Sequence, residues 1–580
     1  MYKKFIQIIT ILTKITLYTI LLIFTTIGLI YIFKKDLISQ TLYIYHNKNT
    51  NKFSYKTINI YVPQNILPFI TQQIDDLKTI KYQNINKYNF TQNKNEANLY
   101  VSVSPQNKNN EVNSENNEVN SKTNQPVLFY QDIYVPVGHF YWIKDNFDSK
   151  TTNIYCLKQD CKLLEQTYPN YKFIQKNNKT ELLNALKSSE KTPALINLND
   201  LNPEFKLLTF NKKYYLDDFD KNAVFMVNFY IQASTDQDTK LLNATKRILK
   251  NNPNLHQDIV TLQKQNVFSF IQTGVTAISR ALAQKMEAVH DMTYPAKDIK
   301  DFLKNADLTH TSNEVSFVKG CVPQASMRFC ANPQYYELLK YIDLDIVELT
   351  GNHNNDYGAD WNAWTIKNFY KKDKIDYFGG GLNDKDASKI LYKTIKDTKI
   401  ALLGYNYYDT IYNNTHALAT SSHAGANSFS FAKLKKDIAT AKKNADIVIV
   451  DFQFQECYCY PDHDVIYPIC YKPLASPDQR GVFKKAVDYG ADIVVGTQAH
   501  QPQTYEIYKG KPIFYGLGNL FFDQIYWIGT RQGLILKHYF YNGKYIQTRI
   551  ITTLQSKDQK QHIVWDKDRT LLLKLLKENR

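Results

Sequence analysis

Three short runs constrain the fold most: DIVELT at 345–350, DIVIVDFQ at 446–453 and DIVVGTQ at 492–498. Each is apolar, β-branched and bounded by polar or turn residues, the signature of a buried strand. Helical stretches stand between them: PQYYELLKYI before the first, ADWNAW after it, a Lys-rich run before the second and SPDQRGVFKKAV before the third. From residue 267 to about 555 strands and helices keep alternating, which predicts an α/β domain with a mixed sheet. In such sheets ligands collect at the loops beyond the carboxyl ends of the strands. The segments to watch are therefore TGVT at 273–276, SNE at 312–314, GNH at 351–353, QFQE at 453–456 and GTQAH at 496–500.

A chain of 580 residues has room for two or three such units. Its net charge of +16 is carried mostly by Lys, spread along the chain, with Arg scarce. Nucleic-acid recognition favours Arg forks on a concentrated basic face, so no nucleic-acid partner is expected; a diffuse Lys excess suits an anionic cell-surface polymer. Near the start, Ile15 to Phe33 is an uncharged run between Lys14 and Lys34–Lys35. At about 1.5 Å per residue it would cross roughly 28 Å, enough for a transmembrane helix. No small-residue cleavage site follows, so residues 1–35 are expected to stay as a signal anchor in the cell membrane. One span would then leave the bulk of the chain extracytoplasmic.

Residues 56–233 alternate strands and helices and form a smaller α/β domain, broken at 104–125 by a polar, Asn-rich loop in which NNEVNS occurs twice. This part loosely resembles periplasmic-binding-protein domains, at fold level only. Residues 234–266 form a polar connector, and 556–580 an amphipathic tail helix. Of the seven cysteines, Cys321 and Cys330 bracket a stretch suited to a disulfide-closed loop, and Cys156 and Cys161 lie five apart. The pairing of Cys457, Cys459 and Cys470 stays open, and with His463 their spacing fits no standard zinc finger. There is no Gly-x-Ser-x-Gly elbow, and FGGGLND at 378–384 lacks the Lys and Ser/Thr of a phosphate loop.

Taken together, GNHNNDYG, FGGGLN, the Gly496 to His500 block and GKPIFYGLGN make residues 268–550 resemble the bacterial capsule-synthesis CapA (PGA_cap) family. The resemblance implies a calcineurin-like metallophosphatase fold, a four-layer αββα sandwich. It also implies a role in capsule or poly-γ-glutamate-type polymer biogenesis. Carried over by motif, His353 would be the acid, with Asn352, Glu314 and His500 beside it. Metal ligands would come from Glu314, Asn352, Gln453, Gln498 and His500. The departures are specific: Val275 stands where the family has Asp, Ser312 where it has Asn, and Gln453 and Gln498 where it has His. Amide oxygens hold zinc or manganese weakly beside imidazole or carboxylate. The cofactor is thus unknown, with at most one weakly bound divalent metal expected. Two alternatives stay open: a phosphoesterase-like or amide hydrolase with an altered metal site, and a non-catalytic module binding a surface polymer or other ligand.

Overall fold

In a computed structural model of the chain, residues 57–79, 88–105, 125–148, 150–251, 266–454 and 479–578 are described. The N-terminal unit is a nine-stranded sheet. Its centre is the long strand Val127–His139, antiparallel to Phe225–Ala233 and to Ala194–Asn197. Helices Leu67–Thr79, Lys158–Thr167 and Lys179–Ser188 bury Ile70, Ile74, Leu163, Leu164, Leu182 and Leu186 in the same core as the sheet.

The C-terminal unit has two large sheets, with a short two-stranded ribbon of Gly380–Gly381 and Gly425–Ala426 beside them. The first runs in the order Asp376–Phe378, Ile346–Glu348, Leu308–Asn313, Val267–Thr273, Gln532–Tyr541, Lys544–Gln555, Gln561–Val564. The second runs Leu391–Ile395, Thr398–Asn406, Ile447–Gln453, Ile493–Thr497, Lys511–Phe514, Tyr505–Tyr508. Because side chains alternate along a strand, each run presents two faces. Phe268, Phe270, Leu308, Ile447, Ile449, Ile493 and Val495 form one core between the sheets. The alternate residues pack outward: Ile271 and Val347 against Leu282, Leu303 and Leu338, and Val448, Val450 and Val494 against Leu434, Ile438 and Val482. The layers are therefore helix, sheet, sheet, helix. Glycines let the two sheets close at one edge: a Cβ on Gly379 (φ 71°) would lie 2.5 Å from Thr350 Cγ2 and 3.1 Å from Gly404 Cα.

The tail contributes the strand Gln561–Val564 before its helix, Lys567–Glu578, whose Leu572, Leu573 and Leu576 enter the core between the sheets. From that helix Arg569 pairs with Asp145, and Lys577 with Glu190, both on the N-terminal unit. Asp217 binds Lys537 and Arg549 across the same seam.

The expected membrane-spanning helix is corrected here. Among the described residues no helix is long and apolar enough to cross a membrane, and Ile15 to Phe33 lies outside them. Phe431–Asn444, for example, has 14 residues, about 21 Å of helix, and carries Lys along its open face. Most of the Asn-rich loop, the end of the connector and Cys457, Cys459 and Cys470 also lie outside the described residues.

Two buried carboxyls in the N-terminal unit set a pH dependence. Asp160 accepts from Tyr134, and Asp132 from Asn197 and Tyr130. Burial pushes Asp160 up to about 7 and Asp132 up to about 6. The folded chain then holds protons that the unfolded chain has released, so this stabilisation is full below about pH 4 and is lost as pH rises to about 7. Between pH 4.5 and 7.5 the thermal midpoint should fall more in the wild type than in the Asp132→Asn/Asp160→Asn variant. Equal slopes would refute the assignment.

Candidate functional site

The loop after Ile346–Glu348 begins at Gly351, where the backbone lies directly on Glu314: a Cβ there would sit 2.8 Å from Glu314 Cα and Cγ. Only glycine permits that approach. Glu314 is fully buried beneath it, and the Oδ1 of Asn352 is buried without a hydrogen-bond partner. His353 donates from Nδ1 to Asp356 at 2.7 Å, which leaves Nε2 as the working nitrogen of the ring. Asp356 also accepts the backbone N–H of Phe329 at 2.7 Å. The rest of the loop holds its shape, with the Asn355 side chain donating to the carbonyls of His416 and Ala424 and the Asn354 backbone carbonyl accepting from the Ser316 hydroxyl.

Phe329 is delivered by the loop that Cys321–Cys330 closes; the structure bridges this pair, and also Cys156–Cys161. Its ring lies 4.1 Å from His353 and 5.7 Å from Phe522, and Phe522 lies 5.1 Å from His500. The Arg280 guanidinium covers Phe329 and Phe522, each at 4.8 Å, and is held in a fork by Asp523. His353 and His500 thus border one aromatic floor. His500 Nδ1 donates to Asn519 Oδ1 at 2.9 Å.

Val275 is buried in a ladder between Ser312 and Asn519. Gln453 donates from Nε2 to Gln498 Oε1, so the two amides bind each other. Gln498 holds a left-handed φ of 80°, an unfavourable conformation for a residue with a side chain.

Residues 269–524 match the family described as bacterial capsule synthesis protein PGA_cap. The capsule biosynthesis protein CapA of Bacillus anthracis is 32% identical over 42% of this chain and 57% of its own length. The PGA biosynthesis protein CapA of Bacillus subtilis is 30% identical over 36% of this chain and 50% of its own. Residues 269–524 are thus similar to the PGA_cap family and to these CapA proteins. It spans about half the length of the curated relatives it matches. Among solved structures, an arginine-bound amino acid transporter substrate-binding protein of Streptococcus pneumoniae is matched at 11% identity over 35% of this chain and 93% of that one. The TM-score is 0.22, too slight to assign a ligand.

In this sandwich the polar character continues inward from the loops. His310 precedes Ser312 by two residues and Asp451 precedes Gln453 by two, so the strand period puts each pair on one inner face. Glu348 is the register partner of Ser312. His310 Nε2 lies 3.7 Å from Asp451 Oδ2 and 4.0 Å from Glu348 Oε2, all three buried. Burial pushes Glu348 up to about 6. It raises Asp451 as well, with Glu348's charge adding to the effect, and lowers His310 to about 3. The sequence reading passed over these three because it stopped at the strand ends. The available signal was a charged residue at inward positions of runs otherwise apolar on that face.

Two outcomes test this geometry. Gly351→Ala should cost about 1–3 kcal/mol by overpacking, read from denaturant unfolding. A loss below about 0.5 kcal/mol would mean that Glu314 does not sit under the loop. The Cys321→Ser/Cys330→Ser variant should lose roughly 2–3 kcal/mol in the chain-entropy view. It should also gain hydrogen exchange at both 317–331 and 352–358; exchange unchanged at 352–358 would separate the bridge from His353.

Proposed function

We propose that this chain acts outside the cytoplasm in biogenesis of an anionic, poly-γ-glutamate-type capsule polymer, and that its strand-end site holds the polymer without a tight two-metal centre. The observation that carries this reading is the rim itself. Val275 is built into a ladder and Gln453 binds Gln498, so these positions offer no carboxylate or imidazole to a metal. What faces the loop edge is suited to a polyamide. Asn352 Oδ1 can accept an amide N–H, His353 presents Nε2, and the exposed Arg328, held over Tyr357 at 4.9 Å, can meet carboxylates. The two disulfides support an oxidising compartment. The CapA relatives, one of them named for PGA biosynthesis, support the polymer class.

A second reading rests on the Asp356–His353 pair. A carboxylate that fixes an imidazole tautomer is also the arrangement of a proton carrier, so His353 could serve as the acid of a hydrolase or transferase. Asn352, Glu314 and His500 are the groups proposed beside it.

The test is binding of poly-γ-glutamate by the full-length chain, with and without a chelator. Wild type should bind regardless of chelator, and Asn352→Ala and His353→Gln should each weaken binding by about tenfold, roughly 1.4 kcal/mol. Because His353 packs against Phe329 and is nearly buried, His353→Gln should also lower stability by about 1 kcal/mol. Chelator-sensitive phosphodiester hydrolysis, or variants that bind as well as wild type, would overturn the proposal.

A further inference from the structure

We propose that His310, Glu348 and Asp451 form a second, interior site between the two sheets, holding one divalent transition-metal ion such as Zn2+ or Mn2+ in a structural role. It is distinct from the strand-end positions, where Val275, Ser312, Gln453 and Gln498 stand. His310 and Asp451 lie one strand period inward from Ser312 and Gln453 on the same inner faces, and Glu348 stands level with Ser312 on the neighbouring strand.

Four observations carry it. One ligand atom from each of the three side chains lies within 4.8 Å of the others. The His310 Nε2 separations of 3.7 and 4.0 Å are too long for hydrogen bonds. They are close to the roughly 3.4 Å that separates ligand atoms around a four-coordinate zinc, so small side-chain adjustments would complete the shell. Both His310 nitrogens and Glu348 Oε2 are buried without hydrogen-bond partners, an unusual condition for groups of this polarity. Finally, the carboxylates are already oriented from behind. Gln272 Nε2 donates to both oxygens of Asp451, at 3.1 and 2.9 Å, and Gln272 Oε1 accepts from His538 Nε2 at 3.0 Å. Thr350 and Thr497 donate to Glu348 Oε1, leaving Oε2 toward His310. Outer hydrogen bonds of this kind orient metal ligands and hold them deprotonated.

The charge balance points the same way. Two carboxylates placed between apolar sheet faces are costly without a cation, and the described residues place no Lys or Arg against either of them. One imidazole nitrogen and two carboxylate oxygens are the donor set of zinc, manganese or ferrous iron rather than of calcium or magnesium. Since the site is closed, the ion enters as the sheets come together, and a chelator reaches it only after unfolding.

The experiment measures metal content of full-length protein refolded with Zn2+ or Mn2+ and then dialysed, still folded, against EDTA. Wild type should keep about one equivalent and release it on unfolding, whereas Glu348→Gln and Asp451→Asn should keep less than about a tenth. Asn352→Ala/His500→Ala should keep the full amount. Wild type holding less than about a tenth of an equivalent would overturn the proposal, leaving a proton-sharing triad. Metal lost from Asn352→Ala/His500→Ala but kept by the interior variants would overturn it too. Should the interior variants fail to fold, X-ray absorption of the zinc-loaded wild type decides. A single histidine nitrogen with oxygen donors supports the site, and sulfur donors or two imidazoles refute it.

Discussion

The hydrogen-bonded fork between Gln272 and Asp451 joins the two sheets of the sandwich, one residue from each inner face. Both side chains are buried, and Asp451 would be a costly isolated charge without a donor reaching it across the layer. The fork ties the first strand of one sheet to the central strand of the other, fixing the level at which their carboxyl ends meet. The Thr497 to Glu348 bond at 3.1 Å repeats the link nearer the rim, and Asn406 reaches the Thr350 carbonyl at 3.0 Å just beyond it. Three polar ties at successive depths keep the GNH loop and the GTQAH loop facing one opening, where apolar packing alone would let the sheets slide.

Charge performs the corresponding task at the seam between the two units. Burial opposes ionisation of Asp145, yet Lys206 and Arg569 together hold its carboxyl well below the usual range. Arg569 belongs to the tail helix, so the end of the chain is fastened to the N-terminal unit while Leu572, Leu573 and Leu576 fill the core between the sheets. Removing one partner of such a buried cluster costs far more than an exposed ion pair does, because the remaining charge stays desolvated. The tail is therefore part of the sandwich's floor.

What the sequence made legible follows from periodicity. DIVELT, DIVIVDFQ and DIVVGTQ contain Ile346–Glu348, Ile447–Gln453 and Ile493–Thr497, since β-branched runs with turn residues at their ends leave few other options. The GNH loop is found past a strand end, and Cys321 and Cys330 are paired, because both depend on local order in the chain. Contacts made across the sandwich were not legible. Nothing local to Gln453 says that it will bond Gln498, and nothing near His310 says that Glu348 and Asp451 will converge on it. The tail helix likewise reads as amphipathic, but its partner lies in the other unit.

His353 shows how support and chemistry share one side chain here. Its ring lies tilted against Phe329, its Nδ1 is committed to Asp356, and Asp356 in turn fixes the Phe329 backbone. The triangle closes only because the disulfide loop brings Phe329 back over the strand end. Gly351 lets the start of the His353 loop descend onto Glu314. A histidine constrained in this way would lose little entropy on meeting a ligand, which would strengthen a single hydrogen bond accepted at Nε2. Under the proposed binding role, and with the neutral Gln453–Gln498 pair beside it, that bond would be the main polar contribution of the rim.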